Sequence, residues 1–207
     1  MSILSSRPYL TAILTLLAIT SYYYYTAICT PSPYTTSKMA AITTGDLSHL
    51  HVSVAQSSTS PPTLTLTLKN THPSTTLTLL NWESPLDPLA LQLGLISVYG
   101  GGSDEPLPLA TIQVSRKLPP GRDQLVSLGP GESKSQDVVL REPVVPLKKV
   151  KEAGGKTVKV ACKGRWKAVW APAEGAAGVA EKALEKMEAD EGAVSGEWEA
   201  EAVEVEV

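Results

Sequence analysis

The sequence predicts an all-β fold, an antiparallel β-sandwich with one helical insertion before its last strand. Apolar residues alternate with polar ones through most of residues 49–170, which is typical of strands with one buried face. Glycine and proline clusters interrupt this alternation at short intervals, and only residues 174–191 show helical spacing. With 43% apolar residues in 207, the chain can build one hydrophobic core.

The first two strands are predicted as a hairpin. Residues 63–68 alternate between leucine and threonine, so the leucines are expected to face inward. Residues 49–55 alternate in the same way, and the polar stretch between the two ends in Pro61-Pro62. A short polar connection between two alternating runs favours antiparallel pairing.

The third strand is predicted at residues 75–82. Its apolar pattern changes phase between Leu79 and Leu80, which predicts a β-bulge. Ser84-Pro85-Leu86-Asp87-Pro88 then forms a turn, because two prolines exclude a central strand. Four further strands are predicted at residues 93–99, 110–116, 125–128 and 136–141.

The last two strands carry complementary charge. One face of residues 157–170 is basic, and the apolar side chains are expected together on the other, namely Val158, Val160, Cys162, Trp166, Ala168 and Trp170. Residues 197–207 alternate apolar side chains with glutamates, with a one-residue slip that predicts a bulge near Ala202. Pairing of these strands would oppose lysine to glutamate. The alternative is that the basic face binds a polyanion.

The strand count completes the fold prediction. Seven to nine short strands with regular turn signals predict an immunoglobulin-like sandwich over residues 39–207. The helical insertion covers residues 174–191, and the final strand covers 197–207.

Residues 1–38 contain no acidic side chain and include an apolar run at residues 10–20. They are interpreted as a signal peptide, as a signal anchor over residues 9–28, or as an extension preceding a start at Met39. The first two interpretations place the protein in the secretory pathway, where only residues 9–28 could contact a membrane. A start at Met39 would leave the protein in the cytoplasm.

Several activities find no support in the sequence. A net charge of −3 argues against a nucleic-acid partner. Gly131-Glu132-Ser133 lacks the second glycine of a hydrolase elbow, and no phosphate-binding loop or His-Glu-x-x-His motif is present. The expectation is therefore a protein that is not an enzyme, with no catalytic residue and no cofactor.

Two histidines are the only metal candidates. His49 and His51 are two residues apart and would present two imidazoles on one strand face. The simpler interpretation is that both are solvent-facing polar residues, since no third ligand accompanies them. Cys162 is predicted to be a buried, inert thiol.

Two loops are the candidate interaction sites. The first contains Glu83, Pro85, Leu86 and Asp87, and the second contains Arg116, Lys117 and Arg122. Asp87 is predicted to cap the first turn through hydrogen bonds to the neighbouring backbone.

Six short motifs follow one another along the chain, namely Asn70-Thr71, Ser84-Pro85-Leu86-Asp87, Arg116-Lys117-Leu118, Gly129-Pro130-Gly131, Gly164-Arg165-Trp166 and Gly196-Glu197-Trp198. Their order resembles the propeptide domain of fungal deuterolysin-type zinc metallopeptidases. The chain is also similar to small uncharacterised fungal proteins that share Pro-Leu-Asp-Pro and Arg-Lys-Leu-Pro-Pro. The resemblance does not extend to the zinc catalytic domain of that family.

The resemblance implies a stand-alone β-sandwich that binds a protein, with a peptidase as the partner that it inhibits or chaperones. Two alternatives stay open. One is a small ligand-binding protein or an enzyme without a linear motif. The other is a membrane-tethered surface protein, which depends on residues 9–28.

Overall fold

The computed structural model describes residues 44–100, 103–186 and 192–207. Within these ranges lie eight strands and two short α-helices. The strands are β1 Leu50–Thr59, β2 Pro62–Asn70, β3 Leu77–Leu80, β4 Ile96–Gly100, β5 Leu125–Leu128, β6 Ser133–Val139, β7 Thr157–Trp170 and β8 Val194–Glu206. The helices are α1 Leu147–Glu152 and α2 Glu181–Lys186, and 3₁₀-helices occupy Thr44–His49, Arg122–Gln124 and Gly175–Gly178. All described residues belong to one unit, Ser37–Val207.

The smaller sheet has the order β1-β2-β6 and contains the predicted hairpin. Val54 pairs with Leu66, and Leu66 pairs with Gln136 on the other side. The leucines of β2 are fully buried, as the leucine–threonine alternation predicts. Because a shift of one residue would expose all of them, this alternation fixes the register.

The larger sheet is built around β7. Strand β8 pairs along its length, β4 pairs with its first half, and β3 pairs with its end, with β5 outside β3. All the pairs are antiparallel. The predicted pairing of the two charged strands is therefore confirmed.

Opposite charges face each other across β7 and β8. Three pairs stand in register, Lys159 with Glu204, Lys163 with Glu199, and Arg165 with Glu197. No ion pair shorter than 4 Å joins them in the described part of the chain, so their attraction acts through solvent. The pairing skips residues 201 and 202 opposite residue 161, which confirms the predicted bulge near Ala202.

The space between the two sheets holds the main hydrophobic cluster, here called the central core. It contains the leucines of β2, Leu77 and Leu79 of β3, and the inward residues of β7 and β8. The protein is thus an antiparallel β-sandwich, as the alternating pattern of the sequence predicts. No helix of the described ranges is long and apolar enough to cross a membrane.

A second cluster, here called the outer cluster, covers the opposite face of the larger sheet. Its members come from the sheet and from the insertion that follows β7, and they are Leu80, Trp82, Ala168, Trp170, Val179, Ala183, Leu184 and Ala193. All four residues of β3 are buried, because the two clusters cover both of its faces.

This second cluster corrects two predictions. Strand β3 pairs with β5 without a register shift, so its change of phase marks burial of both faces and not a bulge. The pairing of β7 with β8 shifts between Trp166 and Val169 instead. From that shift onward, Ala168 and Trp170 belong to the outer cluster, so they do not share a face with Trp166.

Three other segments differ from the predictions. Residues 110–116 form no strand, because their only backbone bond to another segment within the described residues joins Ile112 N–H to Gln92 O at 2.9 Å. The predicted helix at 174–191 consists of a 3₁₀ turn and α2, and residues 187–191 lie outside the described residues.

Helix α1 was not predicted. It buries Leu147 and Val150, which are three residues apart. Residues 1–38 also lie outside the described residues.

Candidate interaction groove

The turn after β3 is held by Asp87. Its carboxylate accepts hydrogen bonds from the backbone N–H of Glu83 at 2.9 Å and of Leu89 at 3.0 Å. This confirms the prediction that Asp87 caps the turn. Glu83 has a φ of 57°, a left-handed conformation that is strained for a residue with a side chain. The buried carboxylate of Asp87 helps to hold that conformation.

The middle of this turn faces the protein interior. Pro85, Leu86 and Asp87 are buried, and the Gln136 amide donates to the carbonyls of Pro85 and Asp87 at 2.8 and 2.9 Å. These contacts anchor the turn to β6. Burial therefore removes these three residues from the predicted interaction surface, and of the first loop only the partly exposed Glu83 remains available.

Arg116 joins the two predicted loops. Its guanidinium donates to Asp87 Oδ2 at 2.6 Å, and its central carbon lies 5.6 Å from the centroid of the Trp82 ring. A guanidinium at this distance from an indole ring is attracted by the ring quadrupole. The extended segment that contains Arg116 is thereby fixed beside Trp82.

A groove of about 440 Å³ opens next to this contact. Its apolar wall consists of Trp82, Leu93, Val114 and Leu118, and its charged rim consists of Glu83, Arg116, Lys167 and Lys186. We call this cavity the Trp82 groove. Five parts of the chain contribute to it, namely the turn after β3, the turn before β4, the segment before β5, the second half of β7 and the end of α2.

Exposed apolar side chains are concentrated at this place. Within the described ranges, the large apolar residues left exposed are Ile112 at 48%, Val114 at 36% and Leu118 at 63%. All three lie in one extended segment, and two of them line the groove. Scattered apolar residues on a surface need no explanation, but a cluster beside a groove indicates an interaction site.

The rim of the groove carries more positive than negative charge. Lys167 Nζ lies 2.8 Å from Glu83 Oε1, and both side chains are about two-fifths exposed, at 40% and 38%. Arg116 is paired with the buried carboxylate of Asp87 and Lys167 with that of Glu83, and Lys186 is the third cation of the rim.

Arg122 and Lys117 do not line the groove. Arg122 binds Glu181 at 3.0 Å and the carbonyl of Ala176 at 2.7 Å, so it ties the insertion to the start of β5. Lys117 is exposed beside the groove.

The sequence patterns did not predict Trp82, Val114, Leu118 and Lys167 as groove residues. The sequence contained one signal for this site, a strand-like apolar pattern at residues 110–118. Neither sheet pairs with this segment, so its apolar side chains stay exposed.

The candidate metal ligands are separated by the start of β1. His49 ends a 3₁₀-helix and contacts the ring of His72 at 4.8 Å between centroids, whereas His51 is exposed on β1. Among the described residues, no group of three or more His, Cys, Asp or Glu side chains could hold a metal ion.

Cys162 lies in the central core with no exposed surface. Burial raises the pKa of its thiol from 9.0 to about 12, because the charged thiolate cannot be solvated there. The thiol is therefore protonated at neutral pH, which agrees with the prediction of an inert cysteine.

Comparison with known proteins establishes the class of protein that this fold represents. A family model of the immunoglobulin-like domain matches residues 49–207, and the chain belongs to that family. The chain is also similar to an uncharacterized secreted protein of Arthroderma benhamiae (strain ATCC MYA-4681 / CBS 112371), with 34% identity over 110 residues. That alignment covers 53% of this chain and 54% of the relative, so the chain spans about half the length of its curated relative.

Proposed function

We propose that the protein is a secreted, non-enzymatic protein-binding module and that the Trp82 groove is its contact surface. The observation that carries this proposal is the concentration of exposed apolar side chains in one segment beside the groove. The secreted character of the similar protein of Arthroderma benhamiae and the signal-like residues 1–38 support secretion.

The groove has the composition of a binding hot spot. Tryptophan and arginine are enriched among the residues that dominate binding energy, and Trp82 and Arg116 are in contact here. Covering Leu118 in a complex would contribute about 1–2 kcal/mol from burial of its apolar surface. The contact with Asp87 holds Arg116 in place before a partner arrives, which lowers the entropy cost of binding.

A capture experiment with two matched variants tests the proposal. The tagged full-length chain is incubated with fungal culture medium, and bound proteins are compared between wild type, Leu118→Glu and Ile112→Glu. Both substitutions place a charge on an exposed apolar position of the same segment, but only Leu118 lines the groove. We expect the specific partner to be lost with Leu118→Glu and retained with Ile112→Glu.

The control for this experiment is stability. Both variants should unfold at the temperature of the wild type, because neither side chain is buried. A partner that binds Leu118→Glu as strongly as wild type would exclude the groove as the contact surface. Failure to capture any partner with the wild type would contradict the module function.

The narrower proposal is that the partner is a peptidase, which the protein inhibits or chaperones. It is supported by the resemblance of the short motifs to deuterolysin propeptides, which stays a prediction. The test is to refold a deuterolysin-type peptidase domain with and without the protein and to measure its recovered activity. Equal recovery, together with no inhibition of the folded peptidase, would exclude this partner.

A small ligand is the second candidate occupant of the groove. Its volume of about 440 Å³ falls within the range of small-molecule sites. A ligand-binding protein would show a rise in unfolding temperature with a metabolite extract from which proteins have been removed, whereas a protein-binding module would not.

A further inference from the structure

We propose that the Trp82 groove binds an extended, acidic segment of the partner protein, with apolar side chains at alternate positions. This inference rests on the proposed function and names the chemistry of the partner. It is carried by three observations, which are the free backbone of residues 110–118, the apolar wall of the groove, and the charge of its rim.

The backbone beside the groove belongs to no helix or strand, and among the described residues it is largely free of backbone hydrogen bonds. Residues 110–118 form no strand, and among the described residues Ile112 is the member whose N–H bonds to another backbone segment. Thr111, Ile112 and Val114 are β-branched, as is typical of strands. Extended backbone with unpaired N–H and carbonyl groups can pair with an added strand, which supplies affinity through main-chain hydrogen bonds.

The apolar wall favours side chains at alternate positions of that added strand. Val114 and Leu118 are exposed beside the ring of Trp82, and all three line one cavity. Side chains of an extended peptide point to one side at every second residue. A peptide paired with residues 110–118 would therefore direct its alternate apolar side chains into the groove.

Charge complementarity selects an acidic partner. Residues 106–121 contain Arg116 and Lys117 but no acidic residue. The rim adds Lys167, and the carboxylate of Glu83 lies against it. A carboxylate of the partner can approach Lys167 from the solvent, because that side chain is 40% exposed.

The test uses two synthetic peptides as probes. Both are end-blocked, labelled with fluorescein and eight residues long, with valine and leucine at alternate positions. The remaining positions are glutamate in one peptide and lysine in the other. Fluorescence anisotropy with the full-length protein should show about tenfold tighter binding of the glutamate peptide. That preference should shrink by several fold between about 50 mM and about 500 mM NaCl, because the groove is open to screening by salt.

Charge variants on the rim test the mechanism. Lys167→Gln should weaken binding of the glutamate peptide by about three- to tenfold, because it removes a cation from the rim. Glu83→Gln should strengthen it by a similar factor, because Lys167 then loses its own carboxylate partner. Lys148→Gln is the matched control, since Lys148 is an exposed lysine on α1 and does not line the groove.

Three outcomes would overturn the inference. They are absence of binding by the glutamate peptide, equal binding of the two peptides, and no effect of Lys167→Gln. Sedimentation of the protein alone adds a fourth, since a dimer that Leu118→Glu dissociates would show that a second copy occupies the groove. If a Leu118-dependent partner is still captured when no peptide binds, the module function stands and only this chemistry is wrong. If no Leu118-dependent partner is captured and the glutamate peptide does not bind, both the module function and the acidic peptide as its ligand are wrong.

Discussion

The two hydrophobic clusters of this protein are built in different ways. The central core is enclosed by two sheets whose strands are fixed in register by ladders of hydrogen bonds. The outer cluster lies on one face of the larger sheet and is closed by a short insertion that contains one six-residue helix. A helix of this length is not stable alone, so the outer cluster depends on side-chain packing against the sheet. The comparison indicates that the sheets define the fold and that the insertion completes the surface beside the groove.

Truncation of one leucine in each cluster should give the largest losses in the free energy of unfolding. Leu66→Ala leaves a cavity that two paired neighbouring strands prevent from closing, and should lower the free energy of unfolding by about 3–4 kcal/mol. Leu184→Ala should cost about 2 kcal/mol, because α2 can shift toward the sheet and close part of the cavity. Urea unfolding measures both values. Equal losses would show that the insertion is as rigid as the sheets.

The close packing of the central core at Gly164 gives the next largest effect. Gly164 pairs with Trp198, and a Cβ atom at Gly164 would lie 2.7 Å from Cζ2 of the Trp198 ring. Gly164→Ala should therefore destabilise the protein by about 2 kcal/mol. Gly129→Ala is the control, because the nearest atom there is the flexible end of Glu132 at 3.4 Å. A neutral Gly164→Ala variant would show that the Trp198 ring moves freely.

The outer cluster should tolerate a change of aromatic ring that the central core does not. Trp170 Nε1 is buried without a hydrogen-bond partner among the described residues, so Trp170→Phe removes an unsatisfied donor along with apolar surface. Its net cost should stay below about 1 kcal/mol. Trp198→Phe loses the bond from Nε1 to the carbonyl of Glu83 and should cost about 1 kcal/mol more. Thermal unfolding measures both variants. A larger loss of stability for Trp170→Phe than for Trp198→Phe would contradict the hydrogen-bonding difference between the two indole rings.

The charged side chains on the solvent-facing side of β7 should contribute little to the free energy of unfolding. Lys163→Glu places like charges in register with Glu199 and should cost about 0.5 kcal/mol, falling by about half in 0.5 M NaCl. Lys69→Glu is the control on β2, because His51 and Ser133 stand opposite Lys69. A loss for Lys163→Glu that does not respond to salt would indicate a steric cause.

The buried thiol should affect stability only at alkaline pH. The pKa of Cys162 is about 12 in the folded protein and 9.0 as its ordinary value, so the unfolded chain releases this proton first. The stabilising contribution is fully present below pH 9 and declines as the pH rises toward 12. Below pH 9, a thiol reagent should modify Cys162 only after unfolding, and peptide mass mapping distinguishes Cys162 from Cys29. Rapid modification of Cys162 in the native protein at pH 8 would contradict its burial.

Much of the sandwich could be predicted because one-sided burial leaves a clear pattern. The leucine–threonine alternation of β2 and the valine–glutamate alternation of β8 each report a single covered face. The groove could not be predicted in this way. Trp82 resembles an ordinary core residue in the sequence, and the partnerless strand pattern around Val114 resembles a real strand. Only Arg116 and Glu83 belonged to both the predicted loops and the observed groove.

The sequence by itself determined the strands of the central core and the pairing of β7 with β8, because periodicity and complementary charge are local properties of the chain. Only the tertiary structure decided which strands are covered on both faces and which extended segment has no partner. Burial of the second face of β3 depends on an insertion about one hundred residues further along the chain. Whether residues 110–116 join a sheet depends on which edges other strands already occupy. The burial of the second face of β3 and the missing sheet partner of residues 110–116 are both properties of the packing. The Trp82 groove results from the two together.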